Sequence, residues 1–234
     1  ADNMRKNYAS VLVFVMMATA SLVVARSQEP AKPPQDKPPA EKSAAHAQPS
    51  PEDMQKMMAG MKKWMDSIQP GKHHEPLSQF VGKWDTVTRM WMGGPGSPPA
   101  ESKGVSDVRW VLGKRFLLEE HKGEMLMPDA SGAMKLIPYE GLGQWGYDNT
   151  RNLYVGTWAS TAGTNLQTMI GSADPSGKLF RFFGEMDESM LDVYGRLVKF
   201  EIKIESDDKH VMTIYDLHAA DDYKVVEITY SRKK

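Results

Sequence analysis

The sequence contains no cysteine, and this absence excludes several kinds of chemistry at once. Without thiols the chain cannot form disulfides, thiolate zinc sites or iron–sulfur clusters, and it has no cysteine nucleophile. A lipid-modified cysteine anchor is excluded for the same reason. Because a chain of 234 residues can bury a core that is stable without disulfides, export from the cell remains compatible with this composition.

An excess of charge of one sign is also missing, since 29 Lys and Arg balance 30 Asp and Glu. Nucleic-acid-binding domains usually carry a clear excess of basic residues, because the phosphate backbone dominates their affinity. We therefore expect no nucleic-acid partner.

Catalytic motifs are absent as well: there is no nucleophile elbow, phosphate-binding glycine loop, HExxH motif or paired carboxylates with a sequence rationale. The glycine-rich run 141–146 lacks the following helix of a dinucleotide site, so we interpret its glycines as strand bends that allow barrel curvature. The sequence offers no support for an enzyme. We assign no catalytic residue, no metal site and no cofactor.

Long apolar runs are confined to the N-terminus, where a short segment with the basic residues Arg5 and Lys6 precedes the apolar stretch Tyr8–Ala25. A basic segment, an apolar core and small residues at its end predict a signal peptide over 1–25. An uncleaved membrane anchor is the alternative, because about 18 apolar residues just span a bilayer. Residues 26–50 are rich in proline and charge and predict a disordered linker. We expect an exported protein, periplasmic or secreted, and membrane-anchored if the leader is retained.

A methionine-rich amphipathic helix is predicted over 51–68, in a helical segment that we bound at 51–70. Ser50 is a suitable N-cap, Pro51 suits the first turn, and apolar residues recur every three or four positions: Met54, Met57, Met58, Met61, Met65 and Ile68. This face could pack on the following domain, on a protein partner or on lipid. Copper binding by these methionines with His46, His73 and His74 is a further hypothesis.

From Gly82 onward the apolar period changes to two, and turn residues recur at short intervals. In 196–205, for example, Val198, Phe200, Ile202 and Ile204 alternate with charged residues. About ten short strands without crossover helices indicate an antiparallel meander, which is favoured to close on itself because closure removes exposed edges. We predict a mainly β fold: an up-and-down antiparallel barrel over 73–234, preceded by one helix.

Several motifs resemble a bacterial family of exported domains of unknown function related to lipocalins and other calycin barrels. They are LGKRFLLEE (112–120), GYDN (146–149), YVGTW (154–158) and VEITYSRK (226–233). The resemblance covers about 73–233 and implies a calycin-like barrel. In lipocalin-like barrels a Gly-x-Trp at the start of the first strand and a basic residue in the last seal one end. Gly82, Trp84 and Arg232 match that pattern, which predicts the Arg232 guanidinium on the face of the Trp84 ring.

A neighbouring group of ten-stranded barrels binds haem through a histidine near the C-terminus. His210 and His218 are the candidates here, but neither lies in a motif that aligns with that ligand. A surface or hydrogen-bonded histidine is the simpler interpretation, because an axial ligand also needs a flat apolar pocket.

Candidate ligand-binding residues are the strand aromatics Tyr139, Trp145, Tyr147 and Trp158, together with Glu119. Aromatics lining a barrel could form a cavity for an apolar ligand, or they could simply fill the core. Alternation places Glu119 and His121 on one face of their strand: an inward Glu119 would be a polar anchor, whereas an outward one would be an ordinary solvated carboxylate. Glu227 poses the same question.

We therefore expect an exported barrel that binds a small apolar or amphipathic molecule. The alternative is a structural or interaction module with a solid barrel, whose helix 51–68 binds a membrane or a protein partner. Haem or copper binding is a third hypothesis.

Overall fold

The computed structural model describes residues 50–129, 131–188 and 192–234. The predicted signal peptide, nearly all of the predicted linker and His46 lie outside these residues. Within the described ranges, no helix combines the length and apolar character needed to cross a membrane.

The described residues form two units, which divide between Asp66 and Ser67. Among the described residues the smaller unit consists of 50–66, which is helix α1, Pro51–Ser67, without its last residue. It begins with a side-chain cap, because the Asp53 backbone N–H donates to Ser50 Oγ at 3.1 Å. Ion pairs Lys56–Glu52 and Lys62–Asp66, both at 2.8 Å, follow the (i, i+4) spacing. No residue of α1 is buried.

The larger unit is a closed barrel of ten antiparallel strands in the order of an up-and-down meander, β1 pairing with both β2 and β10. The predicted fold class is confirmed. The strands are β1 Gly82–Met90, β2 Ala100–Val111, β3 Phe116–Pro128, β4 Met134–Asp148, β5 Leu153–Ser160, β6 Gln167–Ala173, β7 Leu179–Glu188, β8 Val193–Ser206, β9 Lys209–Asp216 and β10 Lys224–Arg232.

Side-chain alternation decides what fills the barrel. In β8 the residues Val198, Phe200, Ile202 and Ile204 are buried, while the charged residues between them are not. The same period in the other strands builds one apolar core, whose largest fully buried side chains include Trp84, Phe180 and Phe182. Successive strands hydrogen-bond to each other, so the topology leaves no free sheet edge.

A 3₁₀ helix, Glu75–Phe80, lies at the end of the barrel where β1 begins. Its Leu77 is buried in the core, and the Phe80 ring packs edge-on against Phe180 at 5.3 Å between ring centres. Gln79 Nε2 donates to the Gly177 carbonyl at 2.9 Å, which ties the helix to the β6–β7 turn. Sequence periodicity did not predict this element, because six residues are too few to show a helical repeat.

Arg232 covers Trp84 at this closed end. Its guanidinium carbon lies 4.1 Å from the centre of the Trp84 ring, and Trp84 is 1% exposed. Arg232 Nη1 and Nε donate to the carbonyls of Val81 at 2.8 Å and Asp207 at 2.9 Å. Gly82 has φ +139°, and a side chain there would overlap Arg232 Nη1. The three residues therefore form one interlocked contact between the first and last strands.

Candidate functional site

A cavity of about 220 Å³ lies in the barrel interior, toward the end opposite the 3₁₀ helix. A second, smaller space of about 30 Å³ lies between this cavity and the closed end. Four side chains line both spaces and separate them: Glu119, Trp145, Met212 and Tyr230. The larger cavity thus has a floor that carries a carboxyl, an indole and a phenol.

The cavity is chemically two-sided. Polar inward-facing side chains are concentrated on β1 to β3, where Thr88, Ser102, Glu119 and His121 line it. In a ring of ten strands, β6 to β8 lie across from β1 to β3. Most side chains that line that side and the neighbouring β9 are apolar, namely Met169, Met186, Phe200, Met212 and Ile214; Gln167 and Asp187 are the polar exceptions.

Glu119 is the most deeply buried carboxyl of this site, with 5% of the residue exposed. It accepts hydrogen bonds from Ser106 Oγ at 3.0 Å, Trp145 Nε1 at 3.1 Å and Tyr230 OH at 3.4 Å. Burial raises the pKa of the Glu119 carboxyl, and these three donors only partly oppose that effect. The ion pairs among the described residues do not include Glu119, so its charge has no cationic partner within the barrel.

His121 lies beside Glu119 on the same face of β3. The sequence provides room for its ring, because a side chain on Gly104 would meet the imidazole at 2.8 Å and one on Gly123 at 3.1 Å. Its Nδ1 is 2.9 Å from Ser106 Oγ. Burial lowers the pKa of His121, so the imidazole is neutral at physiological pH.

Ser106 links the carboxyl to the imidazole. The hydroxyl has one proton, so it can donate to Glu119 or to His121, and the other group must then donate to it. The raised pKa of Glu119 and the lowered pKa of His121 both favour the uncharged pair. Glu119, Ser106 and His121 are therefore linked by hydrogen bonds without a net charge.

Aromatic side chains complete the wall on β4 and β5. Trp158 Nε1 donates to Tyr139 OH at 2.9 Å, which holds both rings in place. Side chains on Gly141 or Gly143 would overlap or crowd the Trp158 ring, and one on Gly156 would meet Trp145 at 2.7 Å. These glycines thus make room for indoles across neighbouring strands, a role distinct from the strand bending that we expected for 141–146.

Comparison with known proteins identifies the family. The sequence model of a family described as "Protein of unknown function (DUF1579)" matches residues 69–232. The chain belongs to the DUF1579 family. No curated protein matches it. Among solved structures, a redesigned β-barrel aligns with 70% of this chain and 100% of its own, at 11% sequence identity and a TM-score of 0.34.

Four of the five predicted ligand residues line the cavity of this DUF1579 barrel: Glu119, Tyr139, Trp145 and Trp158. Tyr147 does not. Its ring stacks on His73 at 4.6 Å and packs edge-on against Tyr154 at 4.9 Å, near the closed end. Our assignment of Tyr147 to the pocket is therefore corrected. A binding role for the other four stays a prediction.

The remaining candidates lie away from the cavity. Glu227 points outward, where Lys224 Nζ lies 2.9 Å from its carboxylate. His210 is buried at the closed end, with its ring stacked on Tyr230 at 4.3 Å and edge-on to Trp84 at 4.5 Å. His218 is exposed. In the part of the DUF1579 chain that the structure describes, no three His, Asp or Glu side chains come together as metal ligands would.

Two residues of the site went unnoticed in the sequence, Ser106 and Tyr230. Ser106 is 2% exposed and lies in register with Trp84, while Tyr230 pairs with Thr86. The sequence contained a signal for Tyr230: this residue stands two positions before Arg232, and strand alternation therefore places both on the same, inward face. Ser106 carried no comparable signal, since a serine in a polar strand is ordinary.

Proposed function

We propose that this DUF1579 barrel binds a small amphipathic molecule in its interior. The observation that carries the proposal is the cavity of about 220 Å³, in which the buried polar side chains lie on β3 and the opposite side is mostly apolar. A solid barrel, which the alternative hypothesis requires, would leave no such space. Aromatic and aliphatic side chains with a few placed polar groups are the usual lining of small-molecule sites.

The volume limits the size of the ligand. An engineered apolar cavity of about 150 Å³ accommodates benzene, and pockets for drug-sized ligands begin at about 300 Å³. A cavity of about 220 Å³ therefore suits one aromatic ring or a short alkyl chain with a small polar head. The polar head would lie at Glu119 and His121, and the apolar body would contact the methionines and Phe200.

Binding is supported better than catalysis by the same geometry. Ser106, the hydroxyl next to a histidine, is 2% exposed and does not line the cavity, so it connects Glu119 to His121 instead of reaching a substrate. Glu119 is itself engaged by three donors.

The test is retention of a ligand. The protein is purified from its own compartment and examined by native mass spectrometry and by solvent extraction. Ile228 lines the cavity, so Ile228→Trp should narrow it and weaken retention, whereas Thr229→Trp on the outer face of the same strand should not. Equal retention by both variants, or no bound molecule in the parent protein and no binding of added ones, would contradict the proposal.

We also propose that α1 contacts a membrane or a protein partner. Six of its large apolar side chains are exposed: Met54, Met57, Met58, Met61, Trp64 and Met65. Sedimentation with liposomes and affinity capture, each with and without residues 51–68, test this role. Loss of retained small molecule on deletion of 51–68 would instead link the helix to ligand binding.

We further propose that the protein is exported and that DUF1579 barrels are relatives of the calycins. The N-terminal leader supports export, and the mass of the mature protein tests whether it is cleaved. The closed ten-strand meander and the contact of Arg232 with Trp84 support the relationship to the calycins.

A further inference from the structure

The charges around the cavity all have one sign. Its lining includes the buried Glu119, three exposed acids, Glu101, Glu124 and Asp187, and no Lys or Arg among the described residues. Glu101 is partly offset by Arg89, whose Nε lies 3.2 Å from the Glu101 carboxylate and which does not itself line the cavity. The chain as a whole is nearly neutral, so the absence of basic residues from this surface is a local feature and not a consequence of composition.

The polar floor also lacks a cation. Glu119 receives three neutral donors but no ammonium or guanidinium group, although charges are seldom buried without a partner. Thr86 Oγ1 is buried without a hydrogen-bond partner, on the interior face of β1 that Thr88 continues into the cavity. The interior therefore holds a carboxyl that has no cationic partner and a hydroxyl that has no hydrogen-bond partner within the protein.

Electron-rich rings surround this carboxyl. Trp145 and Tyr230 donate to Glu119, and Trp158 and Tyr139 line the adjoining wall. Ring faces attract ammonium groups electrostatically, most strongly when both are removed from water. A buried carboxyl together with aromatic rings is the arrangement that binds an organic cation.

We propose that the ligand of this cavity is an amphipathic amine, whose ammonium group lies at Glu119 and whose apolar body lies against the methionine-lined wall. This inference rests on the proposed binding function and names the class of its ligand. A carboxylate ligand would meet the buried Glu119 and three exposed acids, and no Lys or Arg of the lining would pair with it. An alcohol of the same shape would fill the space but would bring no positive charge to a carboxyl that has no cationic partner in the barrel.

Proton release should accompany binding. Burial raises the pKa of Glu119 and so favours its uncharged form in the empty barrel, whereas an ammonium at hydrogen-bonding distance favours the ionised form. The titratable groups facing it are Tyr230, directly, and His121, through Ser106. Tyr230 stays protonated because its pKa is raised well above the usual value, and the pKa of His121 is lowered. Glu119 is thus the source of the proton.

The experiment uses isothermal calorimetry of the full chain with two apolar bodies, 2-phenylethyl and n-octyl, each carrying an ammonium, hydroxyl or carboxylate head. We expect the amines to bind at least tenfold more tightly than the alcohols, with the carboxylates weakest. The apparent enthalpy of amine binding should depend on the ionisation enthalpy of the buffer, because a proton is released.

Glu119→Gln keeps the shape of the side chain and removes its charge. It should weaken amine binding at least tenfold and change alcohol binding less than threefold. The matched control is Glu120→Gln, because Glu120 is the next residue of β3, is exposed and pairs with Arg109 outside the barrel. Circular dichroism and thermal unfolding establish that each variant is folded.

The outcomes separate the two proposals. Alcohols binding as tightly as amines, or an amine preference that survives Glu119→Gln in a folded protein, would overturn the amine inference and leave a small-molecule barrel. Failure of all six compounds to bind would count against both.

Discussion

His210 should make the barrel sensitive to acid. Its imidazole lies between the rings of Tyr230, Trp84 and Phe80, at 4.3, 4.5 and 5.2 Å between ring centres. Burial, together with the nearby charge of Arg232, lowers the pKa of His210 to about 3. The folded protein therefore keeps His210 neutral at pH values where the unfolded chain protonates it.

The loss of stability on acidification follows from the difference between the folded and unfolded pKa values of His210. In the unfolded chain the His210 pKa returns to 6.5, so between about 6.5 and 3 the unfolded state binds one more proton than the folded state. Stability is then present above the unfolded pKa and is lost as the pH falls. Each pKa unit corresponds to about 1.4 kcal/mol, so acidification from pH 7.5 to pH 5 should cost about 2 kcal/mol through this residue. That value holds as long as the folded pKa is below about 4.

The assay is urea unfolding of the parent protein and His210→Phe at a series of pH values. Groups common to both proteins, including His121, cancel in the difference between their free energies of unfolding. Phenylalanine keeps an aromatic ring in the stack, and any constant packing cost does not depend on pH. We expect the variant to gain about 2 kcal/mol relative to the parent between pH 7.5 and pH 5. A difference that stays constant within about 0.5 kcal/mol would refute the assignment of His210 as a buried neutral histidine.

Three further substitutions test particular contacts. Arg232→Lys removes the planar donor fork that binds loop carbonyls at the closed end, and urea unfolding should show a loss of about 2 kcal/mol; an unchanged midpoint would contradict this. Gly141→Ala should displace the Trp158 ring, destabilise the fold by about 1–3 kcal/mol and shift the tryptophan emission, whereas Gly71→Ala, with open space around it, should do neither. Thr86→Val replaces an unpaired buried hydroxyl and should raise stability by about 1 kcal/mol in thermal unfolding; a clear loss would indicate an unseen partner.

The fold was accessible from the sequence because two local signals agree. Alternation in 196–205 and regularly spaced turn residues specify short antiparallel strands, and a long meander of that kind favours closure. The 3₁₀ helix and the glycine contacts were not accessible. The room that Gly141 leaves for Trp158 depends on strand register, which a single sequence does not display.

The orientation of Glu119 could not be decided from its own strand. Leu117, Glu119 and His121 share one face of β3, while Leu118 and Glu120 share the other, so each face carries a leucine and a carboxylate. Only the pairing of β3 with β2 and β4 turns the first face inward, where Leu117 is fully buried. The tertiary context, and not the local pattern, therefore makes Glu119 a buried carboxyl.

The direction of β4 indicates that Tyr147 lies near the closed end of the barrel. In an up-and-down barrel that is sealed where β1 begins, every odd strand runs toward the open end and every even strand runs back toward the closed end. Interior residues at the open end of the cavity must therefore come late in odd strands or early in even ones, whereas Glu119, early in β3, and Trp145, late in β4, reach only its floor. Trp158, late in β5, and Tyr139, early in β4, satisfy this rule and line the cavity, whereas Tyr147, at the end of β4, does not. Counting strands from Gly82 combines alternation with distance along the barrel axis, and it places Tyr147 closer to the sealed end than Trp145, the residue of β4 that forms part of the cavity floor.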